Sequence, residues 1–206
     1  MVKRLEIPIS AEQIKGLKVG DSVLLSGKMI TGRDAVHKWI HDTFISKKKQ
    51  ATAEDISILN DLKPILAGGL IYHCGPVVSG LDTKQYKFVA AGPTTSIREE
   101  PYQGDVIKFL NLRGVIGKGG MGPKTLKACE EASAVYFHAI GGAASLIAES
   151  VTRVIGVHKY EFGVPEAIWV IEVKDFPVIV TMDAHSNSIH TTVRDSSKAI
   201  LDKLTA

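Results

Sequence analysis

Short apolar runs that stop at glycine set the framework of this chain. Ser22-Val23-Leu24-Leu25-Ser26-Gly27, Leu70-Ile71-Tyr72-His73-Cys74-Gly75 and Leu112-Arg113-Gly114-Val115-Ile116-Gly117 have this form, as does the run Ala134 to Ile140 before Gly141-Gly142. Such runs read as buried strands. Helical stretches follow several of them. Over 31–44, Ala35, Val36, Trp39, Ile40 and Phe44 recur at helical spacing behind Thr31 as N-cap. Residues 123–133 open with Pro123, a favoured first helical residue, and 143–153 read as a further helix. Residues 2–9 alternate as a first strand, and 167–173 and 178–183 are strands. A turn at 185–188 leads back into 189–193, and 196–204 closes as a helix. The alternation predicts a single α/β domain over 1–206 with a mixed central sheet, antiparallel towards its end.

Composition narrows the function. At 206 residues, 45% of them hydrophobic, the chain can bury a core without staples. Twenty-five basic against 22 acidic residues leave a net charge of +3. That balance, with no aromatic residues interleaved among the basic ones, argues against a nucleic-acid partner. Lys47-Lys48-Lys49 reads as a solvated loop after a helix. No run approaches the length of a membrane span, and the first residues lack the apolar core of a signal peptide. The expectation is a cytoplasmic protein with reduced thiols and no membrane partner. Two cysteines, Cys74 and Cys129, are too few for a disulfide scaffold, a four-cysteine zinc site or an iron–sulfur cubane on this chain. Both read as inert side chains.

The glycine turns also carry isolated cations. Arg33 follows Gly32, Arg98 ends Gly92-Pro93-Thr94-Thr95-Ser96-Ile97-Arg98, and Lys118 stands in Gly117-Lys118-Gly119-Gly120. Glycine lets a ligand approach the backbone, and loops at strand ends are where α/β folds place sites. Arg33 falls in a first helical turn, where the macrodipole disfavours a cation, so it needs a local anion. That anion is either Asp34 or another nearby acid, or a ligand. Thr94, Thr95 and Ser96 can be plain N-caps. The lysine turn fails the Walker A pattern, because Leu112 and Gly119 stand where glycine and Ser or Thr are required. His37 and His41 have helical i, i+4 spacing, but no third metal ligand converges on them in the sequence. Two arginines and a lysine on open turns suit a small dicarboxylate.

At these residues the sequence resembles a known family. Thr31-Gly32-Arg33-Asp34-Ala35-Val36-His37, Tyr72-His73-Cys74-Gly75-Pro76-Val77, Ala91 to Arg98, Ile116 to Gly120, Glu161 to Trp169 and Val173 to Pro177 look like the class I (iron–sulfur) fumarases. They look in particular like the β-subunit of the two-chain enzymes and of L(+)-tartrate dehydratase, equivalent to the C-terminal domain of single-chain members. The resemblance implies a swivelling β/β/α domain. It implies reversible hydration of fumarate to (S)-malate, with dehydration of L(+)-tartrate to oxaloacetate as the alternative. It places a 4Fe–4S cluster on a partner α-subunit, in an α2β2 assembly, with no metal on this chain. By motif, Arg33, Arg98 and Lys118 would bind substrate carboxylates. Thr94 and Lys118 would take part in catalysis, and Asp34 and His37 would hold Arg33. A stand-alone dicarboxylate-binding module of the same fold is the reading from another class. One departure is visible: many members carry methionine after the loop arginine, whereas Glu99-Glu100 follow here.

Overall fold

The computed structural model describes residues 2–205; Met1 and Ala206, the ends of the expected domain, lie outside them. In chain order the elements are β1 (Lys3–Ile7), α1 (Ala11–Lys15), β2 (Ser22–Thr31), α2 (Asp34–Ile40), α3 (Ala53–Leu66), β3 (Leu70–Tyr72), β4 (Val77–Ser79) and β5 (Lys87–Ala90). There follow α4 (Glu100–Leu110), β6 (Gly114–Gly117), α5 (Pro123–Ala132), β7 (Val135–His138), α6 (Ala144–Glu149), β8 (Val151–His158), β9 (Ile168–Met182) and α7 (Ile189–Thr205). A wider π turn over His41–Ile45 prolongs α2, and a 3₁₀ turn over Ser96–Glu99 leads into α4.

The sheet is mixed. β1, β2, β3, β6 and β7 run parallel, and β9 runs antiparallel to β2, β7 and β8. Because β2 pairs with both β3 and β9, the strands β2, β3, β6, β7 and β9 close into a ring. Alternation along each strand then divides the apolar residues between two cores. Leu70, Tyr72, Ile116, Phe137, Trp169 and Ile171 fill one core with β1 and α1. Their neighbours Ile71, Val115, Tyr136, Ile168 and Val170 face the other, under α2, α3, α4 and α5. Burial on both faces is why these strands read as unbroken apolar runs.

Several sequence expectations change. Thr31 ends β2 and is not the cap of α2: its hydroxyl donates to Ala167 O and accepts from Trp169 N. Arg33 takes the N-cap position without a side-chain cap bond. The helix expected over 143–153 stops at Glu149, and Val151 already belongs to β8. The two strands expected at 167–173 and 178–183 are one strand, kinked at Asp175, whose φ is +53°. Residues 189–193 do not extend the sheet; they open α7.

Candidate active site

The parallel pairing sends β2, β3, β6 and β7 out of the sheet at one end, so the segments that follow them meet. Gly32 N–H donates to Tyr72 O, His73 N–H to Ile116 O, and Ala139 N–H to Gly117 O. The loop 92–98 crosses over these ends. Thr94 N–H donates to His73 O, Lys118 N–H to Thr94 O, and Ser96 N–H to Lys118 O. Arg33, Thr94, Arg98 and Lys118, separated in sequence, thus stand on one stitched platform.

The acids around the cations are distributed differently from the expectation. Asp34 Oδ1 accepts from Arg98 Nη2 at 2.8 Å and so ties the loop to the head of α2. Arg33 faces Glu166 instead. Its Nε lies 3.0 Å from Glu166 Oε1 but off the N–H axis, so the pair is ionic and not a formed hydrogen bond. Glu166 Oε2 also accepts from Ala35 N–H, which places an anion at the start of α2. The guanidinium lies against Gly75, where an added Cβ would come 2.7 Å from Arg33 Nη1. Lys118 has no ion-pair partner among the described residues, and the Thr94 hydroxyl, half-buried, donates to His73 O.

Beneath this platform lies a buried polar chain that the sequence did not single out. Tyr136 O–H donates to Ser96 Oγ at 2.9 Å, and Ser96 Oγ lies 2.7 Å from His73 Nδ1. With Gln103 Oε1 2.8 Å from His73 Nε2, the proton sits on Nε2 and Nδ1 accepts from Ser96. His37 packs edge-on to His73 and donates from Nδ1 to Arg33 O at 2.9 Å. His37 therefore holds the backbone of Arg33, while Glu166 faces its side chain. Burial keeps both histidines neutral, His37 down at about 4 and His73 well below the ordinary value. A histidine inside an apolar run such as Leu70 to Cys74 is the one sequence signal for this chain, because a core histidine needs partners.

The two glutamates after Arg98 part company. Glu100 turns away and caps α5. Its carboxylate accepts from the N–H groups of Gly122, Lys124 and Thr125 and from the Thr125 hydroxyl. The N-terminus behind the lysine turn is thereby filled by a side chain of the protein itself. Glu99 points inward and is fully buried, with neither oxygen hydrogen-bonded to another residue. Burial pushes its pKa up to about 7; its own backbone N–H, then Arg98 and Arg33, oppose the rise, and Asp34 reinforces it.

Cys74 and Cys129 are both buried, and burial pushes each thiol up to about 12. Neither is available as a thiolate. No group of three or more His, Cys, Asp or Glu side chains that could hold a metal ion occurs among the described residues. The two buried, protonated thiols are not the three thiolates that hold an open-iron cubane.

Fold and site together define an α/β domain that sets Arg33 and Lys118 on glycine-rich turns at the carboxyl ends of parallel strands, with Arg98 on the loop that crosses them. The sequence model of the family described as Fumarase C-terminus matches residues 2–193, and the chain belongs to that family. It is 48% identical over 200 residues to a putative fumarate hydratase class I of Geobacillus stearothermophilus. That match covers 97% of this chain but only 35% of the relative, so the chain spans about a third of that protein's length. It is 39% identical over 198 residues to a putative L(+)-tartrate dehydratase subunit beta of Methanocaldococcus jannaschii, covering 95% of this chain and 93% of the relative. It is 35% identical over 190 residues to the L(+)-tartrate dehydratase subunit beta of Escherichia coli K12, covering 92% and 87%.

Proposed function

We propose that this chain is the substrate-clamping part of a fumarase-type hydro-lyase, adding water reversibly to fumarate to form (S)-malate. The observation that carries the reading is the stitching of the segments that bear Arg33, Thr94, Arg98 and Lys118 to one another at one end of the sheet, by backbone hydrogen bonds and the Arg98–Asp34 pair. Its swivelling β/β/α character and its assembly as α2β2 with an α-subunit belong to the same proposal. The names of the two subunit-length relatives support a partner chain. They also keep L(+)-tartrate as the alternative substrate, against the fumarate hydratase name at higher identity.

The reaction forms or breaks a C–H bond next to a carboxylate, and charge builds on that carboxylate as the proton leaves. Arg33 and Arg98 offer forked donors to the two carboxylates, and Lys118 adds a point charge where the developing charge concentrates. The Thr94 hydroxyl, held by His73 O, would orient the reacting carbon and relay its proton. The 4Fe–4S cluster is assigned to the partner α-subunit, since this chain's cysteines do not fit it. Closure of the partner over the platform would exclude water.

The test is turnover of the anaerobically co-purified complex, with fumarate hydration and L(+)-tartrate dehydration assayed side by side. Lys118→Ala is expected to lose about a hundredfold or more in kcat, the size of effect seen for single charge-stabilising donors, with the cluster content unchanged. Undiminished turnover in that variant overturns the assignment of Lys118. A higher kcat/KM for tartrate than for fumarate selects the alternative substrate.

A further inference from the structure

We propose that Glu99 is a positioning residue that governs how tightly the Arg33–Arg98 pair holds a dicarboxylate, acting as an internal rival for those cations when ionised. The inference rests on the proposed dicarboxylate site. Its geometry stands on the fold alone.

Glu99 closes the 3₁₀ turn directly after Arg98 and precedes α4, which packs against α2. The charged and titratable groups around it come from each neighbouring element. They are Arg98 on its own turn, Arg33 and Asp34 at the head of α2, and Tyr136 from β7. His37 and His73 lie one helical turn deeper, around Gln103. Glu99 is fully buried, yet no other residue donates a hydrogen bond to its carboxyl oxygens, and only its own backbone N–H steadies the charged form from within hydrogen-bond reach. A satisfied structural carboxylate would accept from backbone or side-chain donors, as Glu100 does one residue later.

The charge count at the platform explains what such a group can do. Glu166 offsets Arg33 and Asp34 offsets Arg98, which leaves the charge of Lys118, unpaired among the described residues, in excess while Glu99 is neutral. Ionising Glu99 cancels that excess beneath the site of a dianion. A bound dianion in turn favours the protonated form, so binding and proton uptake are linked. The sign follows. Affinity is full while Glu99 is protonated and falls as pH rises through about 7, where burial has placed its pKa.

The primary experiment measures KM for fumarate from pH 6 to 8.5 in the co-purified complex, for the native protein and for Glu99→Gln. The native KM is expected to rise about tenfold across this range, the change that one unit of pKa displacement produces. In Glu99→Gln it stays flat near the native pH 6 value, while kcat of both proteins follows the same pH course. An equal rise of KM in Glu99→Gln overturns the proposal.

A second readout needs no turnover. Infrared difference spectra of the co-purified complex, native minus Glu99→Met, isolate the stretching band of one protonated carboxyl. That band is expected at pH 6, weaker at pH 8, and strengthened at pH 7.5 by malonate as the dicarboxylate probe. Absence of the band at pH 6, or indifference to malonate, overturns the proposal. A complex that turns over no dicarboxylate while the malonate response persists refutes the hydro-lyase reading and leaves the role of Glu99 standing.

Discussion

Burial acts on His37 and Glu99 with opposite signs. His37 is held neutral, its pKa down at about 4 from an ordinary 6.5, mainly by desolvation. The stability this represents is present above pH 6.5 and is lost as pH falls towards 4, up to about 3 kcal/mol. His73, lowered by the same cause, adds to that acid limb. Glu99 runs the other way, raised from 4.5 to about 7. Its folded-state advantage is complete below pH 4.5 and is lost as pH rises through 7, again by up to about 3 kcal/mol. Between pH 4.5 and 6.5 the loss at Glu99 offsets the gain at His37, and the further gain at His73 leaves stability rising towards neutral pH. Glu99→Gln should therefore gain about 3 kcal/mol over the native chain at pH 8 and almost nothing at pH 4.5. Urea unfolding at the two values measures the difference, and an equal effect at both would show that Glu99 is already charged throughout.

The turns are built from glycines whose missing side chains make room for the buried polar chain. Gly117, the last residue of β6, is the tightest case. A Cβ there would lie 1.8 Å from Ser96 Oγ, 3.0 Å from His73 Nδ1 and 3.1 Å from Tyr136 OH. Gly117→Ala must push Ser96 off His73 and displace Lys118, the next residue. A loss of about 1–3 kcal/mol is expected from overpacking, with dicarboxylate binding impaired beyond what unfolding explains. Chemical denaturation and malonate titration on the same sample separate the two. Strand ends marked by glycine were the legible part of this element, and with them the positions of Arg33, Arg98 and Lys118. The acid partners were not legible. Glu166 reaches Arg33 across 133 residues of sequence through the pairing of β2 with β9, and no local spacing encodes that contact. α4 was legible only as a short helix opened by the loop at Thr94 to Ser96, and α3 escaped notice, although Thr52 and Asp55 form a capping box and Ile58, Leu59, Leu62 and Leu66 share one face. Pro64 within α3 reads locally as a break that packing on the sheet overrides, whereas Pro101 stands in the first turn of α4, where proline is favoured. The fusion of two expected strands into β9 has the same origin. Asp175 and Pro177 look like a turn, yet Pro177 pairs with Leu24 and Asp175 only kinks the strand.

At the scale of the molecule, the platform is rimmed by apolar side chains that nothing among the described residues covers. Ile97 is 50% exposed between Thr94 and Arg98, and Ile140 is 56% exposed beside Gly141, which borders Lys118. Leu146 is 63% exposed on α6, whose first residue packs against Gly92. Large apolar side chains around a polar centre mark surfaces that another chain desolvates. The cations inside the rim would then gain strength from the lowered dielectric once water is excluded. The partner proposed to carry the cluster is expected to seat on this rim. Ile140→Asp with Leu146→Asp should weaken the complex about a hundredfold, on the scale of two interface side chains each costing somewhat over 1 kcal/mol when replaced. Val2→Asp, at the opposite end of the parallel strands and 56% exposed, should leave assembly unchanged. Both variants place charge on already exposed positions, so their unfolding midpoints should match the native chain and isolate the effect to association. Size-exclusion chromatography of the co-expressed chains, followed by titration calorimetry, reads the result. Equal assembly by the rim variant and the Val2 variant would move the partner to another face, and with it the claim that closure over Arg33, Thr94, Arg98 and Lys118 completes the site.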